Sequence, residues 1–355
     1  MVLPRWGIVT TADAPVSLLI AHAAHHLVAG AGEVHLYLDN APEAAEDLAP
    51  LRCLPGVRVT VADRAWWRGQ GRRRPRLHQV RPTHNATAAL AATGMDYLIH
   101  LDIDEYLWQW EPLAEELSLL PEGHFLKIGN IERVHAATDP GTDVFSPLFR
   151  LPEALVSGRE AAEEDLRNGG LTRQGLTGHS SGKAASPAGL GYTAGIHRPR
   201  LSARRGGLYP RHRLSESATI LHFDGVTPLD WLHKLLRKGE ALERDPQSPA
   251  AEERARQVAA LMACGPDLAA ALALYDRLKR LDPAREATWR GDGRVIEVPF
   301  DPAGAIAELL PGHAADLSRD GYDRWLAAAK GDVFARFGCL SAGRSSEKAW
   351  SRGGG

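Results

Sequence analysis

YLIHLDIDE, at residues Tyr97–Glu105, is the segment from which the architecture of this chain can be predicted. A short, mostly apolar run after Gly94 predicts a buried strand, and two carboxylates one residue apart end it. Residues i and i+2 of an extended segment point the same way, so Asp102 and Asp104 can share one target. In a parallel sheet the carboxyl ends of the strands open onto the ligand crevice. Carboxylates placed there suit a hard divalent cation that also binds substrate phosphates.

Strand-like and helix-like segments alternate upstream of this run. Further strands are predicted at residues 6–10, 34–38 and 57–61, and helices before residue 27 and around residues 84–92. Asp13 is expected to cap the first helix, and Gly30 to end it. Strands separated by helices imply right-handed crossovers and a parallel sheet. The expected fold class is therefore α/β, with Thr10, Asp39 and Asp102 meeting at one edge of the sheet.

The second half of the chain is predicted to be less regular at first and then helical. Plausible strands lie at residues 125–128 and 218–221, and a short charged helix or insertion at residues 160–167. Apolar residues then recur at helical spacing over residues 229–240, 250–262, 268–281, 303–310 and 322–330. We therefore expect an α/β domain over residues 1–226, a helical region over 227–345 and a frayed tail over 346–355.

Composition excludes several classes of protein. The 42 basic and 44 acidic residues leave a formal charge of -2, so nucleic-acid binding is not expected. Cys53, Cys264 and Cys339 lie far apart, which favours reduced thiols over a disulfide framework or a zinc site. The start does not read as a signal peptide, and no apolar run of about 18 residues predicts a membrane span. A cytoplasmic protein is the expectation.

A series of motifs follows in order between Trp6 and Lys238. They are WGIVT, VHLYLDN, HNA, MDYLIHLDIDEYL, GHSSGK, GIH and LHF, the last followed by Trp231 and Lys234. In this order they resemble the glycosyltransferase family 2-like proteins, and the Asp-x-Asp-Glu-aromatic form is similar to that of a bacterial branch. The resemblance implies the GT-A fold, a Rossmann-like, mainly parallel central sheet flanked by helices, here with a C-terminal helical extension. It also implies sugar transfer from a nucleotide-sugar, with a UDP-sugar expected, to a glycan or related acceptor.

The resemblance implies a metal site that holds Mn²⁺ or Mg²⁺. Asp104 is expected to bind the metal directly, and Asp102 to bind ribose or a metal-bound water. His222 would complete the metal shell, as a later histidine does in similar enzymes; the alternative is a core histidine that donates to a backbone carbonyl. A divalent cation would neutralise the charge that develops on a nucleotide diphosphate leaving group.

Nucleotide contacts are expected from Thr10, Asp39, Asp102 and Lys183. Asp39 resembles the residue that reads the base or ribose, although Asp-Asn at a strand exit also makes ordinary Asx turns. Thr10 can offer backbone groups to the base or cap the next helix. Lys183 follows a glycine in a predicted flexible loop, where it can contact a diphosphate or remain a solvated lysine.

The arginine tracts have two possible interpretations, the histidines of the first helix have a structural one, and the catalytic base is open. Two basic tracts can hold a diphosphate or an anionic glycan, or be solvated loops; they comprise Arg64, Arg68, Arg72, Arg73, Arg74 and Arg76, and Arg198, Arg200, Arg204, Arg205, Arg211 and Arg213. The histidines of the first helix are interpreted as structural; they are His22, His25 and His26. The catalytic base is not assigned, and Asp139 and Asp143 are its candidates.

Two other functions compete with glycosyl transfer. An inactive homologue would hold a nucleotide-sugar without turnover, in keeping with the unassigned base. A phosphatase of the haloacid dehalogenase type also places Asp-x-Asp after an apolar strand. That family usually has a small or β-branched residue next and places the pair on its first strand, whereas here Glu105 and Tyr106 follow, after about a hundred residues of α/β sequence.

Overall fold

The computed structural model describes residues 2–40, 45–75, 80–153, 165, 168–201, 209–245 and 251–337. Its described residues fall into two units. Unit 1 draws on Met1–Ile131, Ser180–His222 and Pro299–Ala315, and unit 2 draws on Glu132–His179, Phe223–Val298 and Asp316–Gly355. The predicted helix at 160–167, apart from Asp165, and the predicted tail at 346–355 lie outside the described residues. So do Arg76, Arg204 and Arg205 of the basic tracts.

Unit 1 contains the α/β part of the chain. Its strands are β1 (Trp6–Ala12), β2 (Glu33–Leu38), β3 (Val57–Val61), β4 (Tyr97–His100), β5 (Glu105–Gln109), β6 (Phe125–Ile128), β9 (Lys183–Pro187), β10 (His212–Leu214) and β11 (Ala218–His222). Its helices are α1 (Val16–Val28), α2 (Ala49–Cys53), α3 (Arg64–Gly69), α4 (Val80–Ala92), α5 (Leu113–Ser118) and α10 (Pro302–Leu309), with a 3-10 turn at Ala45–Leu48.

Seven of these strands form a mixed sheet in the order β10-β6-β9-β4-β1-β2-β3. β3, β2, β1 and β4 are mutually parallel, whereas β9 runs antiparallel to β4 and β6. Helices α1 and α4 pack against it, and Val9, Ala86 and Leu98 belong to the apolar core between α4 and the sheet. The predicted α/β class is therefore confirmed, with a sheet that is parallel on one side of β4 and mixed on the other.

The carboxyl ends of the parallel strands lie at one edge of this sheet, as predicted. β1 pairs with β2 up to Ala12 and Leu38, and Val9 pairs with His100 at the end of β4. Asp39 donates its backbone N–H to Ala12, and Leu101 donates to Val9. The segments that carry Asp39 and Asp102 therefore leave the same edge of the sheet, on either side of β1.

Two local expectations at this edge are wrong. β4 ends at His100, and the backbone N–H of Glu105 bonds to the carbonyl of Asp102 in a turn, so Asp102 and Asp104 are not on one extended strand. Asp13 does not cap α1, whose N-cap is Pro15 without a side-chain bond. It accepts instead from the amide of Asn40.

Unit 2 contains most of the C-terminal helices. Its elements are β8 (Leu148–Arg150), α6 (Pro228–Arg244), α7 (Glu252–Ala263), α8 (Leu268–Lys279), α9 (Pro283–Gly291), β12 (Val295–Glu297) and α11 (Arg319–Lys330), followed by a 3-10 segment, Gly331–Phe337. β7 (Asn130–Arg133) enters the unit at Glu132 and pairs antiparallel with β8, which pairs antiparallel with β12. The helices predicted after Pro228 are found, whereas α9 and β12 were not predicted. The boundary at residues 226–227 stays a prediction.

The first long helix of unit 2 begins after a capping residue. α6 begins at Pro228 behind Thr227, whose hydroxyl accepts from the backbone N–H of Asp230.

Within the part of the chain that the structure describes, no helix has both the length and the apolar character that crossing a membrane requires.

Candidate metal and nucleotide site in unit 1

Strand pairing brings a carboxylate and an imidazole together at the end of β4. The chain turns after β4 and enters β5 at Glu105, and β5 pairs antiparallel with β11. In that register Glu105 is directly opposite His222, the last residue of β11. The two side chains therefore meet although they are far apart in sequence.

Asp104 joins this pair to form a group of possible metal ligands. A carboxylate oxygen of Glu105 lies within 4.8 Å of a ring nitrogen of His222, and Asp104 Oδ2 lies 3.8 Å from His222 Nε2. All three residues are buried. Carboxylate oxygens and an imidazole nitrogen are common ligands of first-row divalent metals. The donor atoms of Glu105 and His222 could hold a metal ion and do not by themselves choose the metal, whereas direct ligation by Asp104 stays a prediction.

Lys183 is buried next to these carboxylates. It lies at the start of β9, and its Nζ is 2.7 Å from Asp102 Oδ2 and 2.7 Å from Glu105 Oε2. Its side chain is fully buried, whereas that of Asp102 is 43 % exposed. Lys183 thus bridges the partly exposed carboxylate of Asp102 and the buried carboxylate of Glu105.

The ion pairs of Lys183 shift the pKa values of Lys183 and Asp102. Burial lowers the pKa of Lys183, but the charges of Asp102 and Glu105 outweigh it and raise that pKa above its ordinary value of 10.5. Burial likewise raises the pKa of Asp102, and the ammonium of Lys183 outweighs it, so that pKa falls below 3.8. Lys183 and Asp102 are therefore both charged at neutral pH.

The structure places Lys183 differently from the expected flexible loop. The residue belongs to a strand hydrogen-bonded between β4 and β6, and its ammonium already contacts two carboxylates. A contact with a diphosphate stays a prediction, and such a contact would have to compete with both ion pairs.

Asp39 is held by two arginines at the end of β2. Its Oδ1 lies 3.0 Å from Arg74 Nη2, and Arg81 Nη1 donates to its Oδ2. Arg74 also donates to the carbonyl of Asp39 at 2.9 Å. The carboxylate is thus fixed in place at the sheet edge, and its predicted contact with a base or ribose is untested.

Thr10 lies inside β1 and is fully buried. Its hydroxyl lies 2.9 Å from His22 Nε2 on α1, and it does not cap that helix. The neighbouring Thr11 accepts from the amide of Asn85 on α4 at 3.0 Å. The structure therefore gives the Thr10 side chain an interior partner, and a contact of its backbone with a nucleotide stays a prediction.

The histidines of α1 hold β5, the strand that carries Glu105. His25 Nε2 donates to the carbonyl of Leu107 at 2.7 Å, and the Leu107 N–H donates to His26 Nε2 at 3.1 Å. His26 Nδ1 in turn donates to the carbonyl of His22 at 2.7 Å. Since both backbone groups of Leu107 are bonded to α1, these contacts agree with the structural interpretation of the three histidines.

The candidate catalytic bases lie in unit 2. Asp139 Oδ2 accepts from His135 at 2.7 Å, and this bond lowers the pKa of Asp139 to about 2. Burial raises the pKa of Asp143, whose Oδ1 accepts from the backbone of Phe145. A carboxylate with so low a pKa is a weak base, so of the two Asp143 has the more suitable proton affinity; neither role is tested.

Sequence reasoning missed the part that Glu105 plays. No role in the site is predicted for Glu105 from the sequence, whereas the residue begins β5 and faces both His222 and Lys183. Its position directly after the Asp pair was the available signal. His179, the last residue of unit 2 before Ser180, deserves a test beside His222 because it directly precedes the segment that leads to Lys183.

None of the models of known protein families matches this chain, and a search of curated proteins also gives no match.

Proposed function

We propose that this chain is a metal-dependent glycosyltransferase that moves a sugar from a nucleotide-sugar, with a UDP-sugar as the expected donor, to a hydroxyl of a glycan or related acceptor. The observation that carries the proposal is the close approach of the buried carboxylates of Glu105 and Asp104 to His222 at the carboxyl edge of the sheet. Ligands of α/β sheets bind at that edge, where β1 and β4 both end. The motif resemblance supplies the reaction class.

The residues present fit a divalent cation. Asp102, Asp104 and Glu105 bring three carboxylates, and Lys183 compensates one, so two negative charges remain for a divalent cation. The imidazole of His222 favours Mn²⁺ over Mg²⁺, because Mg²⁺ prefers an all-oxygen shell. A bound cation would supply Lewis-acid stabilisation of the nucleotide diphosphate as it leaves.

The protein's own groups would fix the geometry of this chemistry. Lys183 orients the carboxylates of Asp102 and Glu105, and the β5–β11 pairing fixes Glu105 against His222. Because these ligands are buried, their charges act through protein and not through water, which strengthens their effect on a reacting group.

Calorimetric titration of UDP, with and without Mn²⁺, tests the proposal on wild type and Asp104→Asn. We expect Mn²⁺-dependent binding in the wild type and at least a tenfold loss in the variant, because a metal ligand becomes a weaker neutral one. His222→Ala and His179→Ala extend the test to the imidazoles. The control is Asp320→Asn, an exposed residue of α11. If no nucleotide binds in a metal-dependent way, the proposal falls.

A second candidate, a nucleotide-sugar-binding homologue without turnover, draws support from Lys183. This ammonium neutralises part of the carboxylate charge that a cation would otherwise meet. Release of UDP from a panel of UDP-sugars in Mn²⁺ separates the two. Release that requires Asp104 supports the enzyme, whereas tight metal-dependent binding without any release or transfer supports the binding protein.

A further inference from the structure

Unit 1 contains a cleft of about 670 Å³ next to the first half of α4. It is of the size of ordinary small-molecule sites. Its polar and aromatic lining includes Arg72, His84, His197, Arg198, Arg200 and Tyr209. A hydrogen bond connects the cleft with the segment that carries Lys183. In this bond His197 Nδ1 donates to the carbonyl of Gly182, the residue before Lys183.

The lining of the cleft is positively charged. Arg72, Arg198 and Arg200 are exposed, no lining residue is acidic, and none of the three arginines forms an ion pair within the described part of the chain. Burial lowers the pKa of His84, and the charge of Arg72 lowers it further. Uncompensated guanidinium groups around a concave surface attract anions.

The guanidinium of Arg198 is held in a position that leaves its donors available. It lies over the ring of Tyr209 at 3.6 Å, and the guanidinium of Arg200 lies 5.6 Å from the same ring. Stacking uses the face of the guanidinium plane, so the N–H groups at its edge can still form paired hydrogen bonds with phosphate oxygens.

The loop that carries these arginines is fixed by its backbone. Thr193 and Arg200 exchange two backbone hydrogen bonds of 2.9 Å. His100, at the end of β4, donates from its Nδ1 to the carbonyl of Gly195 in this hairpin at 2.9 Å. A Cβ on Gly195 would collide with the carbonyl of Arg198, so the turn requires glycine. The charged groups are thus presented from an ordered loop, which lowers the entropic cost of binding.

We propose that this cleft binds a phosphate group of a substrate through Arg72, Arg198 and Arg200 without a divalent cation. The inference rests on the proposed function only in taking the phosphate to belong to a substrate. The phosphate can come from the nucleotide diphosphate of the donor or from a phosphorylated sugar acceptor, and both sources present negatively charged phosphate oxygens.

The test measures binding by calorimetry in EDTA, with UDP and glucose 6-phosphate as probes and uridine and glucose as uncharged controls. We expect at least one phosphorylated probe to bind, more weakly as NaCl is raised. Arg198→Ala/Arg200→Ala should weaken that binding at least tenfold, since each charged hydrogen bond contributes about a factor of ten. Both side chains are exposed, so the variant should fold.

Arg211→Ala is the matched control, because Arg211 is exposed in the same basic tract and does not line the cleft. Binding of UDP assigns the cleft to the donor, and binding of glucose 6-phosphate assigns it to the acceptor. The proposal is overturned if neither probe binds, if the uncharged controls bind equally, or if the double variant binds like Arg211→Ala. Because EDTA removes divalent cations from every arm of this test, its result is separate from the fate of the proposed function.

Discussion

Lys183 is the residue on which the charge of the candidate site depends. It is fully buried and forms ion pairs of 2.7 Å with both Asp102 and Glu105. Without it, two neighbouring carboxylates would repel each other at the sheet edge, one of them fully buried. A buried ion pair is costly to break, because the remaining charge has no compensation.

Lys183→Met should therefore lower the free energy of unfolding by about 3 kcal/mol. Urea denaturation measures this loss. In a double-mutant cycle, Lys183→Met/Glu105→Gln should lose less than the two single variants added together, because the second substitution removes the uncompensated charge. Strictly additive losses would show that Lys183 and Glu105 are not energetically coupled.

The positions of single residues relative to the strands were predicted best, whereas the site roles of these residues stay predictions. Asp39, Asp102 and Asp104 were chosen because apolar runs end just before them, and the structure places those runs in parallel strands. Their partners were not predictable in the same way. Lys183 pairs with Asp102, which is 81 residues away in sequence, and no local sequence pattern predicts a contact at that separation.

The strand β9 shows why some strands escape prediction. β9 has the sequence KAASP, in which alanine, lysine and proline all have low strand propensity. It is a strand because β4 and β6 bond to its two sides. By contrast β1, β2, β3 and the longer helices carry their own periodicity, and these elements were predicted.

The turn that leads into β9 gives a test at the level of one element. Gly182 has a φ of +60°, and a Cβ there would collide with the carbonyl of Ile128 in β6; Gly189 has a φ of +75° and open space around it. Gly182→Ala should therefore lose about 1–3 kcal/mol of stability more than Gly189→Ala, since both pay the φ cost and only one meets backbone. Thermal unfolding of the two variants measures the difference, and equal losses would contradict the collision.

The buried histidines of α1 lead us to expect that the protein becomes less stable in acid. Burial lowers the pKa of His22 to about 3 and that of His25 to about 4, from 6.5. The unfolded chain therefore takes up these protons first, and stability is full above pH 6.5 and falls as the pH drops toward 4. For His25 alone the loss over this range is about 3 kcal/mol.

The replacement His25→Gln isolates this contribution. Its amide can still donate to the carbonyl of Leu107, but it does not titrate. Between pH 6.5 and 4 the unfolding free energy of His25→Gln should fall less steeply than that of the wild type. The difference in slope should correspond to about one proton fewer taken up on unfolding. Parallel curves from urea denaturation would mean that His25 is not protonated on unfolding.

At the scale of the whole molecule, the two units are interleaved along the chain. The backbone passes from one unit to the other after Ile131, His179, His222, Val298 and Ala315. α10, far along the chain, packs against α1 inside unit 1. The α/β class was predictable from alternating strands and helices, whereas this division depends on contacts between distant segments.

A fragment of residues 1–226 is therefore expected to be less stable than the full chain. It would lack α10 and expose the face of α1 that this helix covers. Expression of the fragment and of the full chain, followed by thermal unfolding, compares them. A soluble fragment that unfolds cooperatively at the temperature of the full chain would instead support the domain boundary at residues 226–227.

The late position of α10 also has a consequence for biosynthesis. A ribosome releases the amino-terminal strands first, yet unit 1 is completed by Pro299–Ala315 and unit 2 draws on residues beyond Asp316. Neither unit can acquire its full set of contacts until these segments have been synthesised. The face of α1 that α10 covers is thus expected to stay exposed to chaperones until α10 has been synthesised.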